Sequence, residues 1–154
     1  MQLNEIFAPN AVLTGLKANS KSQVLRTLAE SAAREHGLDQ QVVFNALRER
    51  ERLGSTAIGD GVAIPHARIA GLSRPIGWVA CLQEPIAFDA VDDKPVDLVV
   101  MLLAPENAGT DHLRILAQLS RIARDHHRCA ALRGCSSGKA LWEALTGAKQ
   151  KRAA

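Results

Sequence analysis

The residues best suited to chemistry in this chain converge on one histidine. His66 closes the run Gly54-Ser-Thr-Ala-Ile-Gly-Asp-Gly-Val-Ala-Ile-Pro-His66, directly after the apolar stretch Val62-Ala63-Ile64 and a proline. Pro65 lacks a backbone donor and fixes φ, so the strand is expected to end there and His66 to project from its end. The glycines at 54, 59 and 61 permit close backbone approach to a ligand and leave amides free to face an anion. Arg50 and Arg52 lie just upstream, at the end of a helix that leads into the segment. A neutral imidazole is a competent nucleophile toward a phosphoryl group, and its ordinary pKa leaves it largely neutral at about pH 7.

Other chemistries fit the same residues less well. Gly59-x-Gly61 lacks the third glycine and the strand-to-helix setting of a dinucleotide loop. His66, His112, His126 and His127 form a conceivable metal set, yet His126 and His127 are adjacent on a helix and diverge, and no His-x-x-x-His spacing occurs, so no metal is expected. There is no Gly-x-Ser-x-Gly elbow for a serine hydrolase. The three cysteines, Cys81, Cys129 and Cys135, form no Cys-x-x-Cys pair, which suits reduced thiols in a cytoplasmic protein. Residue types alone leave a purely structural role for His66 open.

The elements that must position this histidine are legible in outline. Val12 to Leu16 reads as a first strand. Ser20 or Ser22 caps a helix with apolar residues at Val24, Leu25, Leu28, Ala29 and Ala32, stopped by Gly37. Asp39 caps a second helix that runs through Leu47 into the charged stretch Arg48 to Arg52 and ends at Gly54. Gly59-Asp60-Gly61 makes a tight turn before Val62-Ala63-Ile64. Trp78 to Leu82, bounded by Gly77 and Pro85, reads as a strand. Val96 to Leu103 reads as one buried on both faces. Thr110 or Asp111 opens a long helix carrying Leu113, Leu116, Leu119, Ile122 and Ala123, and a last helix spans about Gly138 to Leu145. This order predicts an α/β fold: a single domain, 1–148, with a mixed β-sheet sandwiched by helices on both faces. The tail, 149–154, is expected to be disordered.

Composition narrows the partners. At 154 residues the chain suffices for one domain that buries about two thirds of its unfolded surface. Nineteen basic against sixteen acidic residues give a net charge of +3, spread along the chain, so nucleic-acid binding is not expected. The N-terminus lacks the basic-then-apolar pattern of a signal peptide, and the longest apolar run, Leu98 to Ala104, is far too short to span a bilayer. No direct membrane insertion is expected.

The segment from Arg50 through Gly54 to His66 resembles the active-site signature of the enzyme IIA components of the bacterial phosphoenolpyruvate-dependent phosphotransferase system. The likeness is to the mannitol/fructose type, and most of all to the nitrogen-regulatory enzyme IIA. Gln41-Val-Val-Phe44, Glu84-Pro-Ile-Ala-Phe-Asp-Ala90 with Pro95-Val-Asp-Leu98, and His112-Leu113 agree in the same order, so the resemblance runs from about Leu3 to Leu145. It implies that His66 is phosphorylated, on Nε2, by a phosphohistidine of an HPr-like carrier. It implies that His112 sits beside His66 and stabilises the phosphoryl oxygens, and that Arg50 contacts the phosphate. Thr56 is a further hydroxyl donor on this reading. No metal or other cofactor is implied. Ala57 and Ala67 stand where glycine is common in relatives. No enzyme IIB or membrane-spanning transport domain is recognised in these residues. The likeness to the nitrogen-regulatory type implies a regulator of the nitrogen branch, with potassium-transport regulators or sensor kinases as partners. The alternative is a sugar-uptake relay that hands the phosphoryl group to a separate enzyme IIB.

Overall fold

Capping chemistry and apolar spacing set the two helices that precede the histidine segment. A computed structural model describes residues 1–149 of the chain; of the expected tail, 150–154 lie outside the described residues. A short α1 (Leu3–Ile6) leads to β1 (Val12–Leu16), then α2 (Lys21–His36) and α3 (Gln40–Arg52). Ser20 Oγ accepts from the Gln23 amide at the start of α2, and Gly37 ends it in the left-handed region with φ of 65°. Asp39 accepts from the amides of Gln41 and Val42 at the start of α3. These caps agree with the sequence expectation.

Short strands β2 (Ala57–Gly59), β3 (Val62–Ala63) and β4 (His66–Ile69) follow, then the long strands β5 (Ile76–Ile86) and β6 (Val96–Pro105). The remaining helices are α4 (Asp111–Ala123), α5 (His126–Arg133) and α6 (Gly138–Thr146). The sheet is mixed, in the order β1-β5-β6-β3-β2, with β4 also paired to β6. β5 and β6 are antiparallel, whereas β1 on β5 and both β3 and β4 on β6 are parallel.

Alternation along β6 splits the core in two. Val99, Met101 and Leu103 join Val24, Leu28, Val43 and Leu47 of α2 and α3 on one face. Leu98, Val100 and Leu102 join Phe7, Ile115, Leu119, Leu132 and Leu141 on the other. That is the sandwich expected from an apolar central strand. Cys81 packs in the second of these clusters, where burial pushes its thiol up to about 11.

Several boundaries differ from the sequence reading, each for a packing reason. Gly77 lies inside β5 because the Phe7 ring sits where a Cβ at that position would stand. Pro85 is also inside β5, at a register shift between Cys81 and Ile86, the setting in which a sheet tolerates proline. Leu113 is 55% exposed on α4, and Ile115 takes its place in the core. Most important here, the chain does not leave the sheet at Pro65. It resumes pairing with the same partner strand, His66 opposite Leu102 and Arg68 opposite Ala104, so His66 opens β4 rather than ending β3.

Candidate active site

Three elements deliver the site. The last turn of α3 carries Arg50, and the first turn of α4 carries His112. β4 carries His66 and Arg68, two residues apart and so on one face. All four side chains line one cavity of about 350 Å³, walled by the apolar side chains of Ala46, Leu53, Ala67, Leu102, Ala104 and Leu116. Glu49 also lines it, with its carboxylate 2.9 Å from Arg52 Nη1.

The ring of His66 has a defined tautomer. Its Nδ1 lies 2.8 Å from the carbonyl oxygen of Ile64. A carbonyl only accepts, so Nδ1 carries the proton and donates. Nε2 is left with its lone pair, and Arg50 Nε donates toward it at 3.3 Å. Arg50 Nη1 also donates to the Gly54 carbonyl at 2.8 Å, which fixes the guanidinium to the loop. The break in pairing at Pro65 makes this arrangement possible: the Pro65 carbonyl serves β6 through the Leu102 amide, while that of Ile64 serves the ring.

Burial, more than any charge, holds the His66 pKa below its ordinary value of 6.5; the Arg50 guanidinium and His112 lower it further, while the hydrogen bond to Ile64 and the Glu51 carboxylate oppose them. The ring is therefore neutral, and its Nε2 available, at neutral pH. The sign for stability follows. A histidine whose folded pKa is depressed contributes fully above its unfolded pKa, and that contribution is lost as pH falls through the folded value. An NMR titration of the His66 ring is expected to give a midpoint below 6.5. A midpoint above it would mean that the ring gains a partner for its charged form.

Arg68 is the site residue that sequence reasoning missed. Its Nη2 lies 3.0 Å from Nε2 and 3.3 Å from Nδ1 of His112, and its Nη1 donates to the Glu106 carbonyl at 3.4 Å. The signal was present: a strand that continues past Pro65 puts the second residue after His66 on the same face.

The other expected site residues lie outside the cavity. Thr56 is buried and does not line the cavity; its hydroxyl donates to the Glu51 carboxylate. Gly54, Gly59 and Gly61 do not line it either. Their φ values of 143°, 109° and 81° serve the loop and the β2–β3 hairpin, where Asp60 at φ 54° completes a tight turn. Ala57 and Ala67 are not among the residues with positive φ, so alanine fits where relatives often carry glycine. Among the described residues, no group of three His, Cys, Asp or Glu side chains has the geometry to hold a metal ion, and no helix is long and apolar enough to cross a membrane.

A mixed sheet covered by helices, with two imidazoles and two guanidiniums around one cavity, defines an α/β protein whose histidine-centred pocket carries groups chemically suited to an anion. The chain belongs to the family described as phosphoenolpyruvate-dependent sugar phosphotransferase system, EIIA 2, whose model matches residues 5–148. Among its relatives is a nitrogen regulatory protein of Bradyrhizobium diazoefficiens, 45% identical over 145 residues, 94% of this chain and 95% of the relative. The fold matches the crystal structure of the nitrogen regulatory protein IIA-Ntr of Neisseria meningitidis with a TM-score of 0.88 and 36% identity, covering 94% of this chain and 99% of that one. A fructose-specific EIIA component of Haloferax volcanii is 46% identical over 83 residues, 54% of each chain.

Proposed function

We propose that this chain is a phosphohistidine carrier, accepting a phosphoryl group on His66 Nε2 from an HPr-like phosphocarrier and acting as a switch in nitrogen- and potassium-type regulation. The observation that carries this reading is the state of the ring: Nδ1 is committed to Ile64, and Nε2 keeps its lone pair beside Arg50. The lone pair forms the new N–P bond while the donor's N–P bond breaks and its electron pair returns to the donor imidazole. The proton stays on Nδ1, donated to the Ile64 carbonyl, so the ring that becomes cationic keeps an acceptor for it. Phosphoryl transfer asks chiefly for positioning and for charge stabilisation at the three equatorial oxygens. Arg50 supplies a donor on one side of Nε2, and Arg68, on the same face of β4, supplies further donors with His112 of α4.

The regulatory half rests on the nitrogen regulatory relatives, matched over nearly their full length. A phosphoryl group adds a charge of about −1.5 to −2 to a pocket that is otherwise basic, which is enough to change which surface docks over it. Leu53, 85% exposed at the cavity wall, and Leu113 beside His112 offer apolar contacts for the carrier and for regulated partners such as potassium-transport regulators or sensor kinases. The fructose-specific relative favours a second reading, a relay to a separate enzyme IIB.

Reconstitution separates the two. Phosphoenolpyruvate, the first enzyme of the relay and an HPr-like carrier are expected to label the chain. A partner from potassium control is then expected to bind one phosphorylation state at least tenfold more tightly. Rapid, complete discharge of the label onto a fructose-type enzyme IIB, with no such difference in partner affinity, would favour the relay. Absence of label would overturn both.

A further inference from the structure

We infer that Glu51 is a positioning residue of the phosphoryl site, acting through Thr56 and the loop 54–64 to hold the His66 ring in its reactive tautomer and direction. Among the described residues, Glu51 and Thr56 are the two polar side chains that are buried, and they touch each other. A buried carboxylate is costly unless its oxygens are filled. Those of Glu51 are filled: Oε1 takes Lys21 Nζ at 2.9 Å and the Thr56 amide at 3.1 Å, and Oε2 takes the Thr56 hydroxyl.

Two short chains of hydrogen bonds lead from Glu51 to the two nitrogens of His66. On one side the Thr56 carbonyl accepts from the Ile64 amide at 3.0 Å, and the Ile64 carbonyl accepts from His66 Nδ1 at 2.8 Å. On the other the Glu51 carbonyl accepts from the Gly54 amide at 3.1 Å, and the Gly54 carbonyl accepts from Arg50 Nη1. Arg50 Nε then reaches His66 Nε2 at 3.3 Å. Glu51 thus stands where the end of α3, the start of α2 and the histidine loop meet. Its negative charge also bears on the ring, opposing the lowering of the His66 pKa by burial, Arg50 and His112. Partners behind an active histidine that set its tautomer have effects out of proportion to their distance from the chemistry.

This inference rests on His66 as the phosphoryl acceptor, and the test keeps the two claims apart. Ring-nitrogen NMR shifts and the His66 titration are read on the unphosphorylated protein, and the labelling rate is read with the phosphorylated carrier. The variants are Glu51→Gln, which keeps shape and removes charge, Thr56→Val, which removes only the hydroxyl, and Thr56→Ser, which keeps it. Glu51→Gln is expected to lower the His66 midpoint further and, like Thr56→Val, to populate the Nε2–H tautomer. Both are expected to slow labelling about tenfold, and Thr56→Ser to retain wild-type behaviour. If Glu51→Gln does not fold, the two Thr56 variants decide by tautomer and labelling rate. Folded variants with an unchanged tautomer and titration, or with an unchanged labelling rate, would overturn the inference. If wild-type His66 takes no label while the variants still shift its tautomer, the phosphoryl reading falls and the positioning claim survives.

Discussion

Replacing His66 with alanine is expected to abolish acceptance of the phosphoryl group, leaving less than about a thousandth of the wild-type labelling rate. The expectation follows from the way the cavity divides its work. Among the described residues, only His66 combines a partly buried neutral ring, a proton fixed on one nitrogen by a backbone carbonyl, and a lone pair on the other. His112 lies in the same cavity, but both its ring nitrogens face Arg68 Nη2, at 3.0 and 3.3 Å, and no backbone carbonyl among the described residues fixes its tautomer as Ile64 fixes that of His66. It is therefore poorly placed to stand in as the nucleophile. Because His66 sits at the start of a short strand and is only part-buried, the substitution is not expected to unfold the sheet. The measurement is the rate of label uptake from phosphorylated carrier, with circular dichroism to establish that the variant is folded. Label uptake at the wild-type rate would remove His66 from the mechanism.

The second large effect is expected at Arg50. Arg50→Ala is expected to lower the transfer rate by about 10²- to 10³-fold, the range for losing one donor aimed at developing charge in a water-poor site. Arg50 makes two contacts at once, Nε toward His66 Nε2 and Nη1 to the Gly54 carbonyl. The guanidinium is thus held before any phosphoryl group arrives, so its orientation costs nothing at the moment of reaction. Lysine presents a single ammonium and cannot bridge the ring and the loop, so Arg50→Lys is expected to recover only a small part of the rate. Removing the guanidinium also lifts one of the causes of the depressed His66 pKa, so the ring midpoint of Arg50→Ala should rise. A rate loss with an unchanged midpoint would mean that Arg50 acts on the carrier rather than on this ring.

Much of the scaffold was legible because it depends on local chemistry. Ser20, Gly37 and Asp39 act within one turn of themselves, and they bound α2 and α3 as expected. The apolar run of β6 is two-faced because each of its alternating sets has helices to meet. What was misread depends on partners far away in the chain. Pro65 looks like a strand terminator, but the parallel ladder with β6 resumes on its far side. Arg68 was missed for that reason, since its place beside His112 follows only from a strand that continues. Gly77 and Pro85 look like boundaries until Phe7 and the register shift in β5 explain them. Its place in the signature suggests Thr56 as a hydroxyl donor to the phosphoryl group. Its hydroxyl instead meets the demand of Glu51, a residue whose burial nothing in the local pattern announces. His112 lies 46 positions from His66, and only the family resemblance, not spacing, put the two together.

In the proposed transfer the phosphoryl group goes to Nε2 of His66, because Nδ1 is held by Ile64. The most direct measurement is the nitrogen NMR spectrum of the histidine-labelled protein before and after incubation with phosphorylated carrier. The expected result is a phosphorus-coupled nitrogen at Nε2 of His66, with Nδ1 still protonated. A phosphoryl group on Nδ1 of His66, or on His112, would rule out transfer to Nε2 of His66.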